Sequence, residues 1–297
     1  MAIDDTCLPT PSDREDEYTV WIVKYGTRSA MRRELFLNYE IYGEADEPAT
    51  MDYFFWIAKN RYRTVVVDTG FSTLGGQSRR RTMLIHPSDA LAAIDVNPLA
   101  VDTVILTHAH YDHVGNVGLF PGSRLLIAQR EIDFWTGQLA SKRQFAALID
   151  QTDVATLIAA KRSGQMKTFC GCASPAPGID VLEIGGHTPG MSVVSIQTND
   201  GAVLLASDTL HLYEQFEREM PFSCVTDLAA TYDAYTTIRA MMDDGITHLV
   251  SGHDPDTLGC FRGSTRLPNL AATIGTTTAD ECGPKPLDPV PSIRPTR

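Results

Sequence analysis

One run of seven residues constrains this chain more than any other feature of its sequence. Residues 107–113 read Thr-His-Ala-His-Tyr-Asp-His and follow the apolar, β-branched stretch 104–106. Such a stretch is typical of a short buried strand. We therefore expect the run to begin at the carboxyl end of a strand. Its side chains that can bind a metal are His108, His110, Asp112 and His113.

Three further residues of the same chemistry follow in the second half of the chain. They stand in Gly-His-Thr-Pro-Gly, Ser-Asp-Thr and Gly-His-Asp, and they are His187, Asp208 and His253. A lone histidine is usually a surface or core residue, but this clustering favours metal ligation by imidazoles and carboxylates, which zinc accepts. Seven such groups exceed what one tetrahedral ion can use, so the count favours two metals.

Composition and charge exclude several classes of partner. The 25 basic and 37 acidic residues give a net charge of −12, which argues against a general nucleic-acid or anionic membrane surface. The N-terminus lacks the basic and apolar regions of a secretory signal, and no apolar run is long enough to cross a membrane. These features predict a cytoplasmic protein. The six cysteines include no CxxC pair and are expected to be reduced thiols.

Three segments are predicted along the chain. Residues 1–17 form an acidic flexible segment, residues 18–275 one domain, and residues 276–297 a proline-rich tail. Within the domain, a helical insertion is predicted at about 140–168. Apolar residues at helical spacing predict helices there, which either cover the site or pack into the core.

The domain is predicted to contain two sheets with helices outside them, and ligands in loops at one shared edge. Strands are predicted near 18–25, 35–42, 51–58, 63–68, 103–107, 124–128, 179–184, 192–198, 202–207 and 247–251. Helices are predicted near 87–95, 129–139, 142–162 and 227–243.

These motifs resemble those of the metallo-β-lactamase superfamily. The chain is most similar to the N-acyl homoserine lactonase group, the quorum-quenching lactone hydrolases, in His-Tyr-Asp-His-Val-Gly-Asn at 110–116, in the spacing from Asp208 to residues 217–222, and in Gly-His-Asp-Pro at 252–255. The resemblance implies an α/β (α+β) fold, a four-layer αββα sandwich of two similar halves.

The resemblance also implies a dinuclear zinc site, with iron, manganese or cobalt as alternative metals. One zinc would be held by His108, His110 and His187, and the other by Asp112, His113 and His253. The carboxylate of Asp208 would bridge them. The implied reaction is the opening of a lactone ring by a metal-bridging hydroxide, with Asp112 or Asp208 passing a proton to the leaving oxygen.

The chain departs from the lactonase pattern at one position. Lactonases of this group usually place a tyrosine three residues after the bridging aspartate, where its hydroxyl meets the substrate carbonyl. Here that position is His211, and Tyr213 lies two residues beyond. Either side chain could donate to the carbonyl. Asp68 is expected to orient a ligand histidine or to cap a turn.

Several functions and partners stay open at this level. The same site could hydrolyse another ester, a thioester or a cyclic amide. Flavodiiron redox proteins share the fold but usually have an acidic residue at the position of His110 and an added flavodoxin-like domain, and a non-catalytic binding module would not need the full ligand set. The expected partner is a small-molecule lactone or ester, with no nucleic acid and no membrane. A homodimer is left open.

Overall fold

The computed structural model describes residues 17–275. Its strands, in chain order, are β1 Thr19–Met31, β2 Pro48–Lys59, β3 Thr64–Val67, β4 Thr82–Met83, β5 Thr103–Ile105, β6 Arg124–Ala128, β7 Met166–Phe169, β8 Cys172–Ala176, β9 Ile179–Glu183, β10 Ser192–Thr198, β11 Gly201–Ser207, β12 Ile246–Ser251, β13 Arg262–Gly263 and β14 Ala271–Ile274. Its helices are α1 Arg32–Leu35, α2 Thr73–Ser78, α3 Pro87–Ala93, α4 Tyr111–Val114, α5 Gln129–Trp135, α6 Arg143–Ala146, α7 Gln151–Ser163, α8 Tyr213–Glu217 and α9 Leu228–Asp243.

The strands form two sheets. Within the described residues, the larger sheet has the order β13-β14-β1-β2-β3-β5-β6-β7, with β4 paired to β1, and the smaller has the order β12-β11-β10-β9-β8. In the larger sheet β3, β5, β6 and β7 pair in parallel. In the smaller sheet β11 and β12 also run parallel. Parallel strands present their carboxyl ends at one edge, so the loops that follow them meet there.

Apolar side chains bury the sheets against each other and against helices. Between the sheets lie residues such as Trp56 and Ile105 from the larger and Val194 and Leu205 from the smaller. Residues 51–58 of β2 are buried without interruption, as expected for a strand covered on both faces. Helices α3, α5 and α7 cover the outside of the larger sheet, and α8 and α9 cover the smaller. The predicted four-layer αββα sandwich is confirmed.

The strand predicted at 35–42 is wrong. The chain there leaves α1 and forms a 3-10 turn over Tyr39–Tyr42. Asn38 has a φ of 49° and Gly43 a φ of 67°, and these left-handed conformations interrupt an extended strand. Leu35 and Tyr39 are buried, so the apolar pattern of this segment reflects packing against the core. Phe36 makes only an isolated bridge to Phe222.

The segment 140–168 contains helices α6 and α7, which lie between the parallel strands β6 and β7. Ile149, Val154 and Leu157 are buried in the cluster outside the larger sheet. The carbonyl of Leu148 accepts a hydrogen bond of 3.0 Å from the backbone N–H of Tyr111. The segment therefore packs on the core and touches the start of α4. Its status as an insertion stays a prediction.

Three further expectations concern the chain as a whole. The predicted flexible N-terminal segment, apart from Glu17, and the predicted tail at 276–297 lie outside the described residues. No helix within residues 17–275 is long and apolar enough to cross a membrane. The expectation of reduced thiols is wrong for Cys172, which is disulfide-bonded. Cys170, Cys224 and Cys260 are free.

An ion pair joins the two halves at their periphery. Arg32 in α1 donates from Nη1 to Oε2 of Glu214 over 2.9 Å and from Nη2 to Oε1 over 2.7 Å. Hydrogen bonding from Arg32 lowers the pKa of Glu214 below its ordinary 4.5. The pair therefore stabilises the fold at pH values above the ordinary pKa of Glu214. This contribution is lost as the pH falls through the lower pKa that Glu214 has in the folded state.

We predict that Arg32→Lys lowers the free energy of unfolding by about 1 kcal/mol near neutral pH, because lysine cannot form the two-pronged contact. Urea denaturation of metal-free protein measures this, and the difference from the wild type should shrink as the pH falls below the ordinary pKa of Glu214. Arg33→Lys is the matched control, since Arg33 is largely exposed beside Asp46. Equal stability of the Arg32→Lys variant and the wild type near neutral pH would refute the prediction.

Candidate metal centre

The metal run occupies the carboxyl end of a strand in the middle of the parallel part of the larger sheet. His108 and His110 lie in the loop after β5, and Asp112 and His113 lie in α4. β5 is flanked by β3 and β6, so this loop is buried between its neighbours. All four side chains are at least nine-tenths buried.

The smaller sheet brings the other three residues to the same place. His187 lies in the loop between β9 and β10, Asp208 directly follows β11, and His253 follows β12. All three are buried. The structure thus brings together the seven residues that the sequence singled out, and their positions at strand ends explain how two distant segments meet.

The two carboxylate oxygens of Asp208 face different imidazoles. Oδ1 lies 3.1 Å from Nε2 of His113 and 3.0 Å from Nε2 of His253. Oδ2 lies 3.3 Å from Nε2 of His187 and 3.7 Å from Nε2 of His108. The carboxylate therefore stands between two groups of imidazoles, one on each side.

Two sets of ligand atoms lie close enough to hold an ion each. One set comprises His108, His110, His187 and Asp208, and the other comprises Asp112, His113 and His253; within each set the ligand atoms lie within 4.8 Å of one another. A third set of Asp208, His211 and His253 meets the same criterion.

Unpartnered nitrogens at the centre fit a bound cation. Nε2 of His108 and of His110 are buried and lack hydrogen-bond partners. Nδ1 of His110 lies 2.9 Å from Nε2 of His187. Buried polar atoms without partners are costly, and a divalent cation would satisfy several of these lone pairs at once. The imidazole and carboxylate donors are those that zinc and similar metals accept.

The opposite nitrogens of three histidines are held by hydrogen bonds. Nδ1 of His113 lies 2.7 Å from Oδ2 of Asp68. Nδ1 of His187 and of His253 each lie 2.7 Å from a backbone carbonyl, those of Cys224 and Asp52. These contacts fix the ring orientation and direct Nε2 toward the centre.

Asp68 occupies the position expected of a residue that orients a ligand. Besides His113, its carboxylate accepts hydrogen bonds of 2.8 Å from both the backbone N–H and the hydroxyl of Thr107. Asp68 has a φ of 61° and Ser207, at the end of β11, a φ of 45°. Such conformations are unfavourable for these residues and are typically retained where the surrounding contacts require them.

Burial and charge shape the titration of the cluster. Burial lowers the pKa of His108 and His110 well below the ordinary value, which keeps both rings neutral. Burial also opposes the charged form of His113, but the negative charges of Asp208, Asp68 and Asp112 outweigh it and raise its pKa. Neutral imidazoles are the form in which histidine binds a metal.

His211 and Tyr213 differ sharply in their surroundings. Nε2 of His211 lies 3.0 Å from Oδ2 of Asp208, and its ring stacks on Phe222 at 3.7 Å. The hydroxyl of Tyr213 instead donates to the carbonyl of Leu249 over 3.0 Å. The geometry therefore places His211 at the cluster and gives Tyr213 a role in packing.

A small pocket opens beside the cluster. Its lining includes His187, Asp208, His211 and Phe222, with residues of α9 on the other side. The sequence did not single out Phe222, because an isolated phenylalanine after a proline carries no sign that it will stack on a histidine.

We predict that the purified wild type holds two divalent ions per chain after dialysis, and that Asp208→Asn holds at most one. The amide keeps the side-chain volume but removes the charge and one acceptor oxygen. Elemental analysis measures the ratio, with His248→Gln as the control because His248 lies outside the cluster and contacts the carbonyl of Asp200. Full metal content in Asp208→Asn would contradict the prediction.

Comparisons with known proteins agree with this fold and this cluster. The model of the metallo-beta-lactamase superfamily matches residues 53–124. An N-acyl homoserine lactonase from Bacillus sp. is 29% identical over 121 residues, which are 40% of this chain and 43% of that protein. The match therefore spans less than half the length of this curated relative.

Solved structures extend the likeness in fold. A quorum-quenching N-acyl homoserine lactone lactonase superposes with a TM-score of 0.68 at 17% identity, covering 82% of this chain and 94% of that one. AidC, a dizinc quorum-quenching lactonase, has a TM-score of 0.65 at 18% identity, with 82% and 92% covered. The chain therefore shares the fold of these solved structures, its residues 53–124 match the metallo-beta-lactamase superfamily model, and its buried His/Asp groups could hold a metal.

Proposed function

We propose that the protein is a dinuclear zinc hydrolase that opens a lactone ring, with an N-acyl homoserine lactone or a related lactone as substrate. The observation that carries the proposal is the position of Asp208, whose two oxygens face imidazoles on opposite sides. A carboxylate with ligands on both sides suits a pair of metals. The lactonases among its relatives, including the dizinc AidC, support zinc and a lactone.

The proposed ligand sets follow the two groups of side chains. His108, His110 and His187 would hold one zinc, and Asp112, His113 and His253 the other, with Asp208 shared. Two bound zinc ions would supply activated water at neutral pH and polarise the substrate carbonyl. The surrounding protein excludes bulk water, since these side chains are almost fully buried.

Two residues of this chain are proposed to act on the substrate oxygens, one on the carbonyl oxygen and one on the departing ring oxygen. His211 would donate a hydrogen bond to the substrate carbonyl oxygen. Burial lowers the pKa of His211 to about 3 against the raising effect of Asp208, so the ring is neutral near pH 7 and carries one N–H. That N–H now faces Oδ2 of Asp208, and it would turn to the substrate once metal ions occupy the carboxylate. Stacking on Phe222 holds the ring plane. Asp112 or Asp208 would pass a proton to the departing ring oxygen.

A substrate panel separates the proposed reaction from its alternatives. A pH-stat assay of the zinc-loaded protein on acyl homoserine lactones, simple γ-lactones, thioesters and cyclic amides should give its highest kcat/KM on a lactone. If the protein hydrolyses thioesters or amides but no lactone, the proposed substrate class is wrong and the proposed metal chemistry stands. An iron content with oxygen consumption would instead indicate a redox protein.

We predict that Asp208→Asn and His110→Ala abolish lactone hydrolysis. Each removes a donor to the proposed metal pair, and loss of such a ligand removes the means of activating water. Initial rates with metal-saturated protein measure the effect, with His248→Gln as the control. Near-normal turnover by either purified variant would refute the proposed mechanism.

We further predict that His211→Ala lowers kcat by about 10²–10³-fold, the usual effect of losing one oxyanion donor. Tyr213→Phe should leave kcat unchanged and lower stability by about 1 kcal/mol, because the hydrogen bond to Leu249 is lost. Steady-state kinetics and thermal melts of both variants test this. If kcat is unchanged in both variants, neither residue is the donor.

A further inference from the structure

Glu131 is a fully buried carboxylate that does not belong to the candidate ligand set. It lies in the first turn of α5. Its Oε1 accepts hydrogen bonds from the backbone N–H of Ala109, at 2.9 Å, and from Nε1–H of Trp135, at 2.6 Å. Its Oε2 accepts from the hydroxyl of Thr188, at 2.7 Å, and from the backbone N–H of Gly190, at 3.0 Å. Four donors thus surround one carboxylate.

These donors connect Glu131 to both loops that carry one candidate ligand set. Ala109 stands between His108 and His110, and Thr188 directly follows His187. One oxygen of Glu131 therefore binds the loop after β5, and the other binds the loop between β9 and β10. The carboxylate links segments from the two sheets at the point where their imidazoles converge.

The cost of burying the carboxylate of Glu131 indicates that its four hydrogen bonds are a specific feature of the fold. Burial raises the pKa of Glu131, and the four hydrogen bonds oppose that rise. A buried carboxylate is costly unless its oxygens accept several hydrogen bonds. Loss of the whole carboxylate here would leave buried donors from two loops without partners.

Close packing supports the same arrangement. A Cβ atom added to Gly190 would lie 2.4 Å from the backbone nitrogen of Glu131, so the loop rests directly on the start of α5 and only glycine fits. The ring of Trp135 meets the ring of His110 edge to face, with centroids 5.5 Å apart. Helix α5 thus contacts one ligand loop through backbone and the other through a ligand ring.

We propose that Glu131 is a positioning residue that fixes the distance between the 108–110 loop and the 187–190 loop. It thereby sets the metal affinity of the site formed by His108, His110 and His187. The proposal rests on the proposed metal-binding function. Asp68 is the counterpart for the other site, because it holds His113 through Nδ1.

The test measures two zinc dissociation constants of the full chain by competition with a chromophoric chelator. Glu131→Gln keeps the volume but turns one acceptor oxygen into a donor, so donors at one loop lose their partner. We expect one dissociation constant to rise about 10–100-fold, the usual effect of losing an outer partner of a metal ligand. The other should stay unchanged.

X-ray absorption of the protein loaded with one zinc identifies the affected site. In Glu131→Gln the retained zinc should carry two imidazoles, from His113 and His253. In Asp68→Asn the pattern should reverse, and the retained zinc should carry three imidazoles, from His108, His110 and His187. This reversal is a readout that a general loss of stability would not produce.

Two further variants keep the test decisive. Thr188→Val removes a single donor to Glu131 and should raise the zinc dissociation constant of the same site by a smaller factor. This variant tests the proposal if Glu131→Gln does not fold. Ser123→Ala is the control, because it removes a buried hydrogen bond to Val101 just before β6, at the end opposite to the ligands. It should lower the melting temperature and leave both dissociation constants unchanged.

The outcomes separate the two proposals. If the wild type binds two zinc ions and Glu131→Gln binds both with unchanged affinity, Glu131 does not position the ligands. Equal weakening of both sites would also overturn the proposal and assign Glu131 a general structural role. If the wild type itself fails to bind two zinc ions, the proposed function is what fails.

Discussion

The candidate metal centre is arranged around the buried carboxylate of Asp208. Its oxygens face Nε2 of His113 and His253 on one side and of His187 and His108 on the other. A charge buried this deeply is costly without compensation, and a cation on each side would supply that compensation. The strand ends that meet at this edge hold these groups together, and the sandwich beneath them makes that geometry rigid.

Two buried carboxylates hold the loops that carry the candidate ligands. Asp68 and Glu131 are both fully buried, and each accepts hydrogen bonds from more than one segment. Asp68 joins the ends of β3 and β5 to α4, whereas Glu131 joins α5 to loops from both sheets. Each carboxylate therefore restricts the movement of one side of the cluster. Outer partners of this kind commonly determine how tightly a metal is held.

The departure from the lactonase pattern has a structural explanation. Where that group usually has a tyrosine, His211 reaches Asp208 and stacks on Phe222. Tyr213 begins α8, and its hydroxyl donates a hydrogen bond to the carbonyl of Leu249.

The sequence by itself determined the seven candidate ligands, most of the strands and helices, and the layered architecture, because apolar periodicity and dense His/Asp motifs are local signals. It failed at 35–42, where Asn38 and Gly43 in left-handed conformations interrupt an extended backbone. It also did not reveal Glu131, because charged residues are interleaved with apolar ones throughout the helix predicted near 129–139. Only the tertiary structure decided which side chains share a centre, that His211 rather than Tyr213 faces it, and that Glu131 accepts four hydrogen bonds. Those facts depend on contacts between segments distant in sequence, which no local pattern records.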